Sequence, residues 1–278
     1  MTRFLTLLIF MSFSPGLLWA WNGLTVGTGP DPSASYQFIQ ELDRFYKRRA
    51  PELDTALVPT PVGDFARTLS ELQAGRLDLA VLPLGMAATN GKTRVLAYLW
   101  EVVLVPFAPE AGSDEVRPDD PLWGLSNGAI LPSLQWPNVH LAGTGEFEER
   151  FTGGEPGIFL AEIVGHPRIL RDLLKQEIFP RDLSPALMQQ LKNKKPWLSL
   201  VDLTYKSRHK TLGYPMVLVA RTDLGLEPLG KLYRILIDLP SDIWPDPYIL
   251  GQLKISKTTS LPPSILHPAI QWQPNETP

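Results

Sequence analysis

The stretch Leu24-Thr25-Val26-Gly27-Thr28-Gly29 begins the segment that decides the fold. Its first three residues predict a short apolar strand, and the glycines after them predict a tight turn. A helix over residues 33–49 is expected next, because Tyr36, Ile39 and Tyr46 recur on one face at helical spacing. We therefore expect a strand that passes through a glycine turn directly into a helix.

The alternation of strand and helix continues to residue 84. A second strand is predicted at Leu57-Val58, an amphipathic helix over residues 64–74 that ends at Gly75-Arg76, and a third strand over residues 77–82. Strands that alternate with helices over short connections form parallel sheets with helices packed on them. Residues 22–84 are therefore expected to form a β-α-β-α-β unit.

A second strand with a glycine turn lies farther along the chain. The strand is predicted at Val139-His140-Leu141-Ala142, and the turn at Gly143-Thr144-Gly145-Glu146. Residues 95–107 predict one or two more strands, and residues 167–177 a helix. The expected fold class is α/β with two lobes, each a mainly parallel sheet with flanking helices, and a cleft between the lobes.

Composition narrows the classes of function. The chain has 278 residues, enough for two lobes at roughly 100–200 residues per domain. Its 26 basic and 29 acidic residues give a net charge of −3, so nucleic acid is not an expected partner. The absence of cysteine excludes thiolate nucleophiles and cysteine zinc sites. The histidines show no metal-binding spacing, so we expect no metal and no cofactor.

Residues 1–20 are typical of a secretory signal peptide. Arg3 supplies a positive charge, an apolar run follows it, and Ala20 offers a small residue at a cleavage position. The apolar run is shorter than the ~20 residues that a membrane-spanning helix needs. We expect export to the periplasm, with a mature chain that begins near Trp21. A buried N-terminal helix, a membrane anchor and cleavage after Gly16 are the alternatives.

The two strand–turn–helix junctions are the candidates for a binding site. A glycine turn that leads into a helix leaves N–H groups free at the positive end of the helix dipole, where carboxylates and phosphates bind. The hydroxyls of Thr28, Ser33 and Ser35 add donors beside the first junction. A Rossmann dinucleotide site is excluded, because its third glycine would fall at Pro32. The alternative is that the glycines only make turns.

The nucleophile-elbow pattern of serine hydrolases occurs at Gly124-Leu125-Ser126-Asn127-Gly128. That motif needs a strand directly before the serine, whereas Asp119-Asp120-Pro121 precedes it here and Asn127-Gly128 favours a turn. Asp202 and either His209 or His267 are the available partners. We interpret the motif as a turn and expect no enzyme activity. An exported serine hydrolase that uses Ser126 is the alternative.

Several segments resemble one family when they are taken in order. They are Leu24–Gly29 with the following Tyr36, the run Ala74-Gly75-Arg76-Leu77-Asp78-Leu79-Ala80, the run from Tyr214 to Leu224, and the closing Leu266-His267-Pro268-Ala269-Ile270. Their order and distances resemble those of the TAXI family of TRAP-transporter solute-binding proteins. The resemblance covers residues 24–84 and 139–272.

The resemblance implies a bilobed periplasmic receptor with a type II binding-protein fold. After the signal peptide, residues 21–105 and 212–278 would form the first lobe and residues 106–211 a shortened second lobe. Such a receptor captures a small carboxylate or amino acid and delivers it to the membrane permease subunits of a TRAP transporter. The residues expected to bind this solute are Gly27, Thr28, Gly29, Ser33, Ser35, Tyr36, Thr60, Gly143, Thr144 and Gly145.

Three departures from the family pattern alter the expected site. Pro30, Asp31 and Pro32 depart from the glycine and small residues that the family has in the first loop. Pro83-Leu84-Gly85 replaces a polar Gln-Ser-Asp after the third strand, and Glu146 puts a negative charge beside the second glycine turn. The far end of the solute would then be neutral or cationic, as in an amino acid, or anion binding would have been lost. The alternative that keeps the fold is a diverged ligand-binding or sensor module of the cell envelope.

We expect the exported protein to begin at or near Trp21, because the segment before it has the charge and apolar pattern of a cleaved signal peptide. N-terminal sequencing of protein from a periplasmic extract measures this directly. A chain without residues 1–20 is the control and should stay in the cytoplasm. Recovery of Met1 from the membrane pellet would contradict cleavage.

Overall fold

The computed structural model describes residues 23–29, 33–49, 56–87, 91–108, 115–125, 139–153, 157–164, 179–205, 207–239 and 253–273. Three strands and two helices alternate at its start: β1 (Leu24–Thr28), α1 (Ala34–Arg49), β2 (Leu57–Pro61), α2 (Phe65–Gln73) and β3 (Leu79–Pro83). Strand β1 lies in the middle and pairs in parallel with both β2 and β3. The predicted β-α-β-α-β unit is confirmed. We call it, with the elements packed on it, the first lobe.

Local sequence explains how the two helices form and pack. Helix α1 buries Phe38 and Leu42 in the main hydrophobic core. Burial of one such side chain contributes about 1.5–3 kcal/mol, so this apolar face holds α1 on the sheet. At the start of α2, the Asp64 carboxylate accepts a hydrogen bond from the Arg67 N–H at 2.8 Å. A carboxylate at this position satisfies an N–H that has no partner within the helix.

Two long antiparallel strands connect the first lobe to the rest of the molecule. They are β4 (Thr93–Ala108) and β12 (Ser207–Arg221), and they pair from Thr93↔Arg221 to Val103↔Gly213. Strand β12 also pairs with β3, so it lies between β3 and β4. The sequence left open whether residues 95–107 form one strand or two, and they form one.

The second lobe is built around the continuation of β4. Strand β8 (Ile158–Val164) is antiparallel to β4, and β6 (Leu122–Leu125) is parallel to both β8 and β7 (Val139–Ala142). Helix α4 (Thr144–Thr152) follows β7 directly, as the sequence predicted. Further described elements are α3 (Leu84–Ala87), which follows β3, and β5 (Glu115–Val116), β9 (Phe179–Pro180), β10 (Asp182–Leu183), α5 (Pro185–Lys194) and β11 (Ser199–Tyr205). The helix predicted over residues 167–177 lies outside the described residues.

One mixed sheet runs through both lobes. Over the described residues it has ten strands in the order β2-β1-β3-β12-β4-β8-β6-β7, with β11 beside β12 and β9 beside β4. The predicted α/β class is confirmed, and the long antiparallel strands at its centre are a feature that the sequence did not show. The predicted lobe boundaries after residues 105 and 211 fall within β4 and β12 and stay a prediction.

The second lobe has an aromatic core of its own. Phe147 and Phe151 of α4 meet the Phe159 ring edge to face, each with ring centroids 5.2 Å apart. Phe107 of β4 stacks on Phe159 at 6.0 Å. Edge-to-face and offset arrangements are the favourable ones for aromatic rings, so these side chains fix α4 on its sheet.

The C-terminal segment, residues 253–273, packs against β4 in the first lobe. It contains three short 3-10 helices (Ile255–Ser260, Pro263–Ile265 and Pro268–Gln271), and it follows helix α6 (Leu226–Ile237) in the described chain. The Lys254 N–H donates to the Leu99 carbonyl at 2.7 Å, and the His267 N–H donates to the Val95 carbonyl at 2.8 Å. No helix among the described residues is both long and apolar enough to cross a membrane.

His267 anchors this segment as a neutral imidazole. Its side chain is 1% exposed. Nδ1 accepts the Ala269 N–H at 3.1 Å, and Nε2 lies 3.3 Å from the Arg221 carbonyl oxygen, so Nε2 carries the proton and donates. Burial lowers the pKa of His267, and the positive charge of Arg94 lowers it further. Protonation of Nδ1 would remove the bond to Ala269.

We expect this histidine to make the stability of the fold depend on pH. Because the pKa of His267 is lower in the folded chain than its ordinary value of 6.5, its contribution is present above that pH and is lost as the pH falls toward the folded pKa. Between pH 7.5 and 5, the free energy of unfolding should therefore fall more steeply in the wild type than in His267→Gln. The difference between the two slopes should reach up to about 1.4 kcal/mol per pH unit.

Urea unfolding across this pH range measures both slopes. Gln271→Ala, an exposed and non-titrating change in the same segment, is the control and should keep the wild-type slope. Parallel curves for the wild type and His267→Gln would contradict a neutral His267 in the folded chain.

Candidate functional site

The carboxyl ends of β1, β2 and β3 face the second lobe. Pro83 at the end of β3 is level with Met216 of β12 and, through it, with Trp100 of β4. Strands β3 and β4 run in the same direction, because both are antiparallel to β12. The rest of β4, up to Ala108, therefore extends beyond the end of β3 into the second lobe.

The carboxyl ends of β6 and β7 face the opposite way, toward the first lobe. Strand β8 runs back along β4, from Phe159 opposite Phe107 to Val164 opposite Val102. Strands β6 and β7 are parallel to β8 and share its direction. The two glycine turns, one after β1 and one after β7, therefore lie at strand ends that point toward the opposite lobe. In α/β folds, the carboxyl ends of parallel strands are where ligands bind.

The hydroxyl groups of the first turn hold the turn itself. The Gly29 N–H donates to Ser35 Oγ at 3.0 Å, and Thr28 Oγ1 donates to the Gly29 carbonyl at 3.0 Å. Ser33 Oγ accepts the Tyr36 N–H at 3.3 Å and lies 3.2 Å from Ser35 Oγ. Ser33 therefore caps α1, and these bonds fix the direction in which the helix N-terminus points.

The first hydrogen bond of helix α1 comes from the Gln37 N–H to the Ser33 carbonyl, at 3.0 Å. The N–H groups of Ala34 and Ser35 precede it, and a helix has no internal partner for its first N–H groups. The start of α1 therefore combines these donors with the positive end of the helix dipole.

Gly27 has a structural role in this site. A Cβ there would lie 2.6 Å from Leu77 Cδ1 and 2.7 Å from Thr68 Cγ2, so these two side chains would have to move to admit a larger residue. Thr60 lies beside Gly27 on β2, and its Oγ1 donates to the Val58 carbonyl at 3.3 Å. Tyr36 is half-buried in the first turn of α1. The structure brings these predicted residues together at the ends of β1 and β2.

The second turn is more open than the first. Gly143 is the N-cap of α4 and has no side chain to cap it, and among the described atoms none lies within 4 Å of a Cβ built at Gly143 or Gly145. Thr144 begins the helix, and its side chain lies outside the described set. Glu146 bonds to Arg150 Nη2 at 3.1 Å. The negative charge that the sequence placed at this turn is therefore balanced by a positive charge on the same helix.

Glu101 is a charged residue at the crossing of the lobes that sequence reasoning missed. Its carboxylate accepts hydrogen bonds from Lys254 at 2.7 Å, Lys257 at 2.8 Å and the Tyr98 hydroxyl at 2.9 Å. Burial opposes ionisation of Glu101, but the bonds from the two lysines outweigh it and lower the pKa to about 2. It is the only charged residue among residues 95–107, and this signal could have identified it.

The prediction for the segment before Ser126, in the hydrolase pattern, was wrong. The sequence indicated that no strand leads directly into Ser126, but strand β6 ends at Leu125. Ser126 and Gly128 lie outside the described residues. Of the proposed partners, His209 bonds through Nδ1 to Asp182 at 2.9 Å, and His267 is buried under the C-terminal segment of the first lobe.

Comparisons with known proteins support the fold. No protein-family model and no curated protein matches the chain. Among solved structures, it is similar to XAC2383 from Xanthomonas citri bound to chloride ion, with a TM-score of 0.53 and 14% identity over 84% of this chain and 90% of that chain. The structure of XAC2383 from Xanthomonas citri bound to ATP is similar as well, with a TM-score of 0.52 and 13% identity over 84% of this chain and 89% of that chain.

An ABC-type phosphate transport receptor from Vibrio cholerae is a third similar structure, with a TM-score of 0.50 and 12% identity over 78% of this chain and 94% of that chain. Identities this low show the fold alone. The chain therefore has a mixed α/β, two-lobed fold of the periplasmic-binding-protein kind.

Proposed function

We propose that this protein is a non-enzymatic periplasmic receptor that captures a small carboxylate or amino acid between its lobes. The observation that carries the proposal is that two helices, α1 and α4, each begin at a strand end that points toward the opposite lobe. Each N-terminus offers unpaired N–H groups and a positive dipole end.

The two sides of the cleft suit different ends of the solute. On the first lobe, the N–H groups of Ala34 and Ser35 stand at a turn that hydroxyl groups keep rigid. A negative group there gains about 0.3–1 kcal/mol from the helix dipole, in addition to its hydrogen bonds. On the second lobe, Gly143 and Gly145 leave the backbone open to close approach. We therefore place the carboxylate of the solute on α1 and its far end on α4.

We also propose that the protein delivers this solute to a TRAP-type permease. This delivery is supported by the signal-peptide pattern of residues 1–20 and by the resemblance of the β1, β3 and β12 segments and the closing His267-Pro268 element to the TAXI family. A transport receptor also stands among the structures that share the fold. Loss of solute uptake on deletion of this protein, restored by the full-length chain, tests this part.

Ser33→Asp is the sharpest test of the anion site. Aspartate caps a helix as well as serine does, so the turn should stay folded while a negative charge enters the place proposed for the carboxylate. Two negative charges about 5 Å apart near a protein surface repel by ~3 kcal/mol, so affinity should fall about 10-fold or more. Calorimetry of the mature protein with L-alanine, L-leucine, L-glutamate and succinate measures the change.

Ser264→Asp is the matched control. It adds the same charge at an exposed position of the C-terminal segment, and the neighbouring Leu266 lies beside Val95 near the end of β4 remote from the second lobe. Its affinity should equal that of the wild type. Unchanged affinity in Ser33→Asp, with a normal circular dichroism spectrum, would exclude the start of α1 as the anion site.

A further inference from the structure

A tryptophan from a distant part of the chain covers the carboxyl end of β3. Trp197 lies in the turn between α5 and β11, and Gly85 lies in the short helix α3 (Leu84–Ala87) directly after β3. A Cβ built on Gly85 would lie 1.9 Å from Trp197 Cβ and 2.3 Å from Cγ. The absence of a side chain at Gly85 is therefore what lets this tryptophan sit against the backbone of the first lobe.

The indole of Trp197 also contacts β12, one of the two strands that connect the lobes. It meets the Tyr214 ring edge to face, with centroids 5.4 Å apart and planes at 82°. Tyr214 is 2% exposed and pairs with Val102, at the level where β4 passes from one lobe to the other. Trp197 itself is only half-buried. An oriented, half-buried indole thus lies on the cleft edge of the sheet.

The strand ends of the first lobe consequently differ in chemistry. The end of β1 presents helix donors, whereas the end of β3 is followed by Leu84 and Met86, which pack on the hydrophobic core, and is covered by Trp197. Strands β1 and β3 are neighbours about 4.8 Å apart, so one small molecule can reach both ends. A polar group near Trp197 would lose its hydration without a new partner there.

We propose that Trp197 determines the specificity of the site, and that the solute is a carboxylate with a bulky apolar side chain, such as a branched or aromatic amino acid. This inference rests on the proposed function. The carboxylate would bind the start of α1, and the apolar side chain would lie against the indole at the end of β3.

A second tryptophan provides a matched control. Trp272 packs on a helical glycine in the same manner: a Cβ built on Gly230 would lie 2.7 Å from Trp272 Cε3. Its carbonyl accepts a hydrogen bond from Arg234 at 3.0 Å, so it holds the C-terminal segment on α6. Trp272 is half-buried like Trp197, but it belongs to the C-terminal segment and not to the turn that covers β3.

Calorimetry with L-leucine and L-alanine tests the proposal in the wild type, Trp197→Ala and Trp272→Ala. The wild type should bind leucine about 10-fold or more tightly than alanine, because a pocket gains roughly that factor from each well-placed apolar group. Trp197→Ala should reduce this preference to below about 3-fold and leave the affinity for alanine nearly unchanged, as expected from loss of the apolar contact alone. Trp272→Ala should keep the wild-type preference.

Trp197→Phe keeps an aromatic ring against Gly85 and serves if Trp197→Ala does not fold. Its leucine preference should be intermediate, and the change in tryptophan fluorescence that leucine causes in the wild type should be lost in it. A leucine preference that is the same in the wild type and both Trp197 variants would overturn this inference and leave the proposed function standing. No binding of leucine, alanine, glutamate or succinate by the wild type would contradict the proposed function, and this inference with it.

Discussion

The pairing of β4 with β12 is the interaction on which the rest of the structure depends. These two strands form the middle of the sheet. The strands of the first lobe follow one another outward from β12, and those of the second lobe follow one another outward from β4. Their contact is close: a Cβ at Gly213 would lie 2.6 Å from the Val102 carbonyl oxygen, and the buried Thr211 hydroxyl donates to the Leu104 carbonyl. A larger residue than glycine at this point would push the strands apart and change the relation between the lobes.

The directions set by this pairing give the cleft its chemistry. Because β3 and β8 lie on opposite sides of the pair and run toward each other, the parallel strands of both lobes end toward the boundary between the lobes. Each lobe has a helix that begins at these strand ends; the Ser33 side chain caps the first, and the N-cap residue of the second is Gly143, which has no capping side chain. The positive ends of two helices favour a small anion, and the indole of Trp197 adds an apolar surface at the end of β3. A charged group and an apolar group on one solute match this arrangement.

Much of the fold could be predicted from the sequence, because the signals are local. The apolar stripe of α1, the end of α2 before Gly75 and the glycine turn after β1 each act within a few residues, and each appears in the structure. The closeness of the candidate residues in the first turn was predictable for the same reason. The strand before Ser126 was missed because it is only four residues long and follows a polar loop.

The remaining features depend on contacts between residues far apart in the chain, so no local pattern shows them. Trp197 and Gly85 meet only because β11 and β3 lie beside the same strand, β12. Glu101 was visible as a charge in an apolar run, but its partners Lys254 and Lys257 come from the other end of the chain. The use of the Thr28 and Ser35 hydroxyls within the turn was equally invisible, since a sequence does not show where a hydroxyl points.

The distance between the lobes in solution tests the central claim most directly, namely that a small solute binds between two lobes joined by β4 and β12. The chain has no cysteine, so Arg48→Cys on α1 and Glu149→Cys on α4, both exposed, can be spin-labelled without side reactions. Pulsed electron spin resonance should show a shorter and narrower distance distribution when L-leucine, L-glutamate or succinate is added at saturating concentration, because a solute that contacts both lobes favours their closed arrangement. A distribution that stays the same with all three would contradict the claim.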